Sequence, residues 1–213
     1  MSQHLLNELN MGISAMKLDL PVGVPEKLID YLGLLNHWNK AFNLTAIRDP
    51  AEMVSKHLLD SLAVLPYLGD AGSLIDVGAG AGLPGIPLAL CRPDLRVVLN
   101  DCVGKKTRFL TQAKLVLGLD NVEVVNQRIE DYRPIEQGRA IYFDLVIARA
   151  YAASDVIVTG TRHLHHAGTR ILVMQGKEDL DLTVTGYRVE KSHTLYIPGL
   201  TAERHLVEIT QTH

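Results

Sequence analysis

Residues 74–90 read LIDVGAGAGLPGIPLAL, with Gly78, Gly80, Gly82 and Gly85 set between two apolar runs. Glycines spaced this way after a buried strand let backbone approach a ligand and aim the N–H groups of the next helix at it. No Gly-Lys-Ser/Thr closes the stretch, which excludes a P-loop. Two registers remain. Gly80, Gly82 and Gly85 fit the G-x-G-x-x-G of a dinucleotide site, yet Leu83-Pro84 puts proline where the helix must start and removes an N–H that a pyrophosphate would use. Asp76, Gly78 and Gly80 instead form an Asp-x-Gly-x-Gly turn. Asp101 follows 21 positions after Gly80, at the end of the next apolar run, where a carboxylate would accept both hydroxyls of an adenosine ribose. That serves NAD and S-adenosylmethionine alike. Past the third run, Ile129 and Glu130 stand where an adenine would pack on Ile129 and donate its amino hydrogens to a backbone or acidic acceptor. These features favour S-adenosylmethionine, with a nicotinamide or flavin dinucleotide as the alternative. Glycines that serve only close strand–helix packing are a third reading.

The elements that must position these residues follow from periodicity. SLIDVG, LRVVLND, VEVVNQ, FDLVIAR and TRILVMQ are short, β-branched, apolar runs, as expected of strands buried on both faces in a parallel sheet. Between them PGIPLALCRP, GKKTRFLTQAKLVLG and SDVIVTGTRHLHH have helix length. YRVEKSHTLYIPG and HLVEITQ close the chain as a hairpin, so the sheet should finish antiparallel. The fold class expected is α/β, a doubly wound sheet with an antiparallel last strand, behind an N-terminal helical cap. We place the cap at 1–68 and the cofactor domain at 69–213. Within the cap, Leu28, Tyr31, Leu32, Leu35, Trp38 and Phe42 make an apolar stripe on a helix opened by Pro25. A second helix has Asp49 as N-cap, Pro50 at its first position and Glu52 completing a capping box, with Val54, His57, Leu58, Ser61, Leu62 and Leu65 inward. His57 and Asp60 either orient one another near the cofactor turn or form a plain buried polar pair.

Composition bounds the function. At 213 residues, 47% hydrophobic and 21% charged, the chain suits one sizeable α/β domain, with no secretion signal expected in MSQHLLNELNMGIS. Cys91 and Cys102 read as reduced packing residues of a cytoplasmic protein, not a disulfide framework. The net charge of −3 argues against wholesale coating of nucleic acid, but 102–119 holds Lys105, Lys106, Arg108 and Lys114 and no acid. That face suits docking on a specific polyanion, or simple solvation. His163, His165 and His166 lack the partners of a metal site and are expected at a helix C-terminus capped by Gly168. Neither a metal nor a membrane is expected, and no long exposed apolar helix demands a partner, so a monomer is.

WNKAFNLTAIRDPAEM, KHLLDSL, IDVGAGAGLPGIPLAL, GKKTRFL and ARAYA together resemble the bacterial small-subunit rRNA guanine-N7 methyltransferases, also called glucose-inhibited division protein B. The resemblance spans nearly the whole chain. It implies a class I methyltransferase fold, S-adenosylmethionine as donor, and a guanine in the decoding-region loop of 16S rRNA as acceptor, free or in the 30S subunit or an assembly intermediate. It would put Gly78 and Leu83 at the methionine and ribose end, Ile129 and Glu130 at the adenine, and Arg149 at the mouth of the site. One departure falls at Gln175-Gly176, where many relatives carry Lys-Gly.

The chemistry agrees. IARAYA has neither the Pro-Pro turn of amino-directed base methyltransferases nor a nucleophilic cysteine. Guanine N7 offers a lone pair and carries no proton, so no acid–base residue is assigned. Arg149 then holds an RNA phosphate or the donor's carboxylate, or pairs with Asp144 or Asp155. Lys105, Lys106 and Arg108 would grip RNA phosphates, with Arg48 and Lys56 approaching from the cap. An NAD-linked oxidoreductase and a non-catalytic RNA-binding module are the alternatives.

Overall fold

The computed structural model describes residues 2–149 and 152–212; Ala150 and Tyr151, inside the ARAYA motif, lie outside them. Among the described residues nine strands run in chain order as β1 (Ser73–Val77), β2 (Arg96–Asn100), β3 (Val122–Val125), β4 (Ile135–Glu136), β5 (Arg139–Ala140), β6 (Phe143–Arg149), β7 (His165–Gln175), β8 (Tyr187–Thr194) and β9 (His205–Gln211). Seven of them form one sheet in the order β3-β2-β1-β6-β7-β9-β8, while β4 and β5 pair alone. The first five are mutually parallel, and β9 runs antiparallel between β7 and β8. The expected antiparallel ending is there.

The chain steps outward from β1 to β2 and β3, then crosses back to β6 on β1's other side. That reversal between β1 and β6 is the topological switch point, where open α/β sheets bind ligands at the carboxyl ends of their strands. Four of the five residues in both β1 and β2 are buried, as aliphatic runs covered on both faces require. Each such side chain contributes about 1.5–3 kcal/mol when fully buried.

The helices are α1 (Ser2–Ala15), α2 (Val24–Phe42), α3 (Pro50–Met53), α4 (Asp60–Leu62), α5 (Gly85–Cys91), α6 (Gly104–Leu117) and α7 (Ser154–Thr161). A π-helical segment, Val54–Leu59, joins α3 to α4 where one continuous helix was expected. All seven residues of α5 are buried, so this helix is apolar all round and fills the space behind the glycine turn. On α2 the stripe Leu28, Tyr31, Leu32 and Leu35 is buried. Trp38 packs edge-on to Phe109 of α6 at 5.7 Å, a core role, whereas Phe42 at the helix end is exposed. Asp49 caps α3 by accepting Ala51 N–H at 3.0 Å, but Glu52 does not complete a capping box; it pairs with Lys56 at 2.9 Å.

One apolar cluster runs from Leu5 and Leu9 through Leu28 and Leu58 to Leu88, Leu99, Phe109, Leu145 and Leu206, so the cap shares a core with one sheet face. Ile75, Val98, Val146, Ile157 and Ile171 build a second core on the other face.

The histidine cluster corrects an expectation. Helix α7 stops at Thr161, a 3-10 turn follows, and β7 starts at His165, so Gly168 lies inside a strand and caps nothing. The register of β6 on β7 slips just there, between Phe143 and Leu145. The three imidazoles part ways. His163 donates to the Tyr132 carbonyl, His165 is bonded to Thr161 and Tyr187 hydroxyls, and His166 meets Asp144. Among the described residues no His, Cys, Asp and Glu group is arranged to hold a metal, and no helix is long and apolar enough to cross a membrane.

Candidate cofactor and nucleic-acid site

The glycine turn follows β1 and is pinned strand by strand. Ala79 N–H donates to the Asn100 carbonyl of β2 at 2.9 Å, and Gly82 and Leu83 N–H both reach back to the Ala79 carbonyl. Gly80 N–H donates to Asp101 Oδ2 at 3.0 Å. Asp76 lies under the turn, fully buried, and its Oδ2 accepts Gly85 N–H at 2.8 Å. Two of the glycines are obligatory. At Gly82 φ is +86°, and a Cβ would stand 2.8 Å from Ile86 Cγ1. At Gly85 a Cβ would come within 2.7 Å of Asp76 Oδ2.

Burial pushes the Asp76 carboxyl up to about 7, against the pull of the Gly85 N–H. Its Oδ1 has no hydrogen-bond partner among the described residues. An orphaned buried carboxylate oxygen beneath a backbone cradle fits a ligand with a cationic end.

The turn opens onto a cleft of about 240 Å³ lined by Gly78, Asp101, Lys106, Ile129 and Glu130. The structure therefore brings these sequence-chosen residues together. Ile129 is buried, and the Glu130 carbonyl already accepts Arg133 at 2.7 Å. Leu83 is buried within the turn and does not line this cleft.

Asp101, expected to accept both ribose hydroxyls, already has three partners in the protein. Its Oδ2 accepts both Gly80 N–H and Lys106 Nζ, the latter at 3.2 Å, and its Oδ1 accepts Val103 N–H at 2.8 Å. A carboxylate has about four acceptor sites, so about one remains for a ligand hydroxyl. Lys106 is drawn into the cleft by that pair, while Lys105 and Arg108 stay exposed on α6. Sequence placed all three on RNA; the structure divides them.

A second cavity, of about 570 Å³, lies at the ends of β6 and β7 against the cap. Its charged lining is Lys56, Arg149, Lys177 and Arg204 against Asp60 and Asp179, a surplus of two positive charges (four less two). The Asp60 side chain is only 3% exposed and bridges two guanidiniums, Arg149 at 2.9 Å and Arg204 at 3.1 Å. Arg149 is thus ion-paired, with Asp60 of the cap as partner rather than Asp144 or Asp155. Asp144 accepts Gly72 and Ser73 N–H, and Asp155 accepts Thr183.

His57 and Asp60 do not orient each other, because Asp60 is taken by the two arginines. His57 instead bonds Thr45 Oγ1 at 2.8 Å and the Lys56 carbonyl at 3.0 Å. Burial, and then the Arg149 charge, hold its imidazole down to about 4, so it stays neutral. Arg48 is exposed and donates to Asn43 Oδ1. Sequence reasoning missed Arg204 and left Tyr31 as mere core; Tyr31 donates to the Ala81 carbonyl of the turn.

Comparison with known proteins adds to this geometry. A family model described as rRNA small subunit methyltransferase G (GidB) matches residues 25–207. The chain is 49% identical to the ribosomal RNA small subunit methyltransferase G of Methylobacillus flagellatus over 201 residues, covering 94% of this chain and 95% of that one. It is 44% identical over 214 residues to the protein of the same name from Pseudomonas aeruginosa, covering 99% and 98%. Among solved structures it is similar to mitomycin 7-O-methyltransferase MmcR, with a TM-score of 0.59 at 16% identity, over 94% of this chain and 75% of that one. At that identity the likeness speaks for the fold, a class I methyltransferase.

Proposed function

Because the chain belongs to the rRNA small subunit methyltransferase G family, we propose that it transfers a methyl group from S-adenosylmethionine to N7 of a guanine in the decoding-region loop of 16S rRNA. Family membership removes the dinucleotide reading. The observation that carries the proposal is the placing of two unlike cavities at one switch point. A narrow cleft beside the glycine turn suits a nucleoside, and a wider, positively charged cavity faces the cap.

Bound S-adenosylmethionine supplies an electrophilic methyl on a sulfonium. Gly78, Gly80 and Asp101 would hold its ribose and methionine end, with Leu83 buried in the turn behind them, and Ile129 and Glu130 its adenine. Arg149, already steadied by Asp60, would face either its carboxylate or an RNA phosphate. The guanine N7 lone pair would be the nucleophile for that methyl, leaving the sulfur neutral and the positive charge on the base. No proton moves, so the protein needs no general base; alignment of the two reactants can supply about 7–11 kcal/mol of the barrier. N7 lies on the major-groove edge, deep and narrow in A-form RNA, so the guanine is taken from a loop or extruded. Lys105, Arg108, Arg48 and Lys56 support binding of the surrounding phosphates. We read 1–68 as the cap and 69–213 as the cofactor domain of a cytoplasmic monomer acting on 16S rRNA in the 30S subunit or its assembly intermediate.

Mapping 7-methylguanosine in 16S rRNA from cells with and without the protein tests this. One decoding-region guanine should lose its methyl group in the deletion and regain it on complementation. A methylation map unchanged by the deletion would point to the non-catalytic RNA-binding module instead.

A further inference from the structure

We propose that Tyr31, on the cap, is a positioning residue for the methyl donor: its hydroxyl holds the glycine turn in the shape that receives the cofactor. The inference rests on the turn being the donor's seat. Tyr31 is wholly buried, and its Oη donates to the Ala81 carbonyl at 2.6 Å. Ala81 sits between Gly80 and Gly82, both at positive φ, in the most conformationally permissive part of the turn. From the sheet side the turn is held by Asn100 and Asp101. Tyr31 is the counterpart hold from the cap side, 50 positions away in sequence. Its ring packs on Phe109 of α6, with centroids 6.3 Å apart. That is the helix whose Lys106 reaches Asp101. The ring alone would satisfy the core. The hydroxyl has another task, since its one hydrogen bond goes to a turn carbonyl that phenylalanine would leave without this donor.

Burial also pushes the phenol above its usual range, so the hydroxyl keeps its proton and acts as a donor at any working pH. With the hydroxyl gone, the turn regains alternative backbone states that the cofactor must suppress on binding. Removing one neutral hydrogen bond corresponds to about a fivefold weaker donor affinity.

The test compares Y31F with W38L by titrating S-adenosylhomocysteine and by steady-state kinetics on 30S subunits lacking the modification. Y31F should raise the Kd for S-adenosylhomocysteine and the donor KM about fivefold, leaving kcat and the rRNA KM within about twofold. Hydrogen exchange should quicken at Gly80–Leu83 only. W38L loosens the same aromatic packing and keeps the hydroxyl, so it should lower Tm while the donor KM stays put. Equal donor KM for Y31F and wild type, or an equal rise in W38L, would overturn the positioning role. If Y31F does not fold, Y31M, which fills the space without donating, takes its place under the same criteria. Wild type that fails to bind S-adenosylhomocysteine would instead overturn the proposed function itself.

Discussion

Three buried titratable groups set how stability answers pH. His57 and His165 are both held down to about 4, chiefly by burial, helped by Arg149 in the first case and His163 in the second. Asp76 is pushed up to about 7 by burial. Below about 6.5 the unfolded chain takes up a proton on each imidazole that the folded chain refuses, so stability is lost as pH falls towards 4. Asp76 works in the opposite sense, binding a proton in the fold between about 3.8 and 7 that the unfolded chain does not bind. Two protons against one leave a net loss of about 1.4 kcal/mol per pH unit from pH 6.5 down to 4 from these groups. Thermal denaturation of the protein should therefore show Tm falling between about pH 6.5 and 5, and more steeply in D76N, which lacks the opposing group. A Tm flat or rising with acid contradicts the assignment of these environments.

At the scale of elements, α6 carries basic residues in two different settings that one run of charges conceals. Lys105 and Arg108 point to solvent, whereas Lys106 is committed to Asp101. Reversing the charge of Lys105 and Arg108 should weaken rRNA binding, with donor affinity unchanged. The slope of log affinity against log salt should fall by about one for each phosphate no longer neutralised. K106E should instead weaken donor binding, because it sets a second carboxylate against Asp101. Filter binding at several salt concentrations, beside S-adenosylhomocysteine titration, separates the two. Identical behaviour of the two variants contradicts the division. The strands and helices were readable because each repeats a local pattern: four buried residues in a five-residue run, an Asp49 cap two positions from the N–H it accepts. The Lys106–Asp101 pair was not legible because charge spacing along a helix does not say which carboxylate faces it. Gly168 misled for a similar reason, since a glycine after a histidine-rich run suits a helix cap and a strand irregularity equally.

Over the whole molecule, what sequence left unread is long-range. The partners of Tyr31, Arg149 and Arg204 lie 50, 89 and 144 positions away, and all three join the cap to the turn or to the strand ends. No periodicity announces such pairings. That Gly78, Asp101, Ile129 and Glu130 share one cleft was legible because each falls just past an apolar run, and a parallel sheet gathers the ends of its strands at one edge. The cap meets the turn and the strand ends directly: its Asp60 pairs with Arg149, its Tyr31 donates to the Ala81 carbonyl, and its apolar face shares the core beneath both.

All of this depends on the turn after β1 receiving the donor, and a crystal structure with S-adenosylhomocysteine tests that directly. Adenine should lie against Ile129 and Glu130, ribose at Gly78 and Asp101, and the amino-acid end should turn towards β6 and Arg149. Density for the ligand in any other cavity, or an empty cleft at saturating concentration, contradicts it.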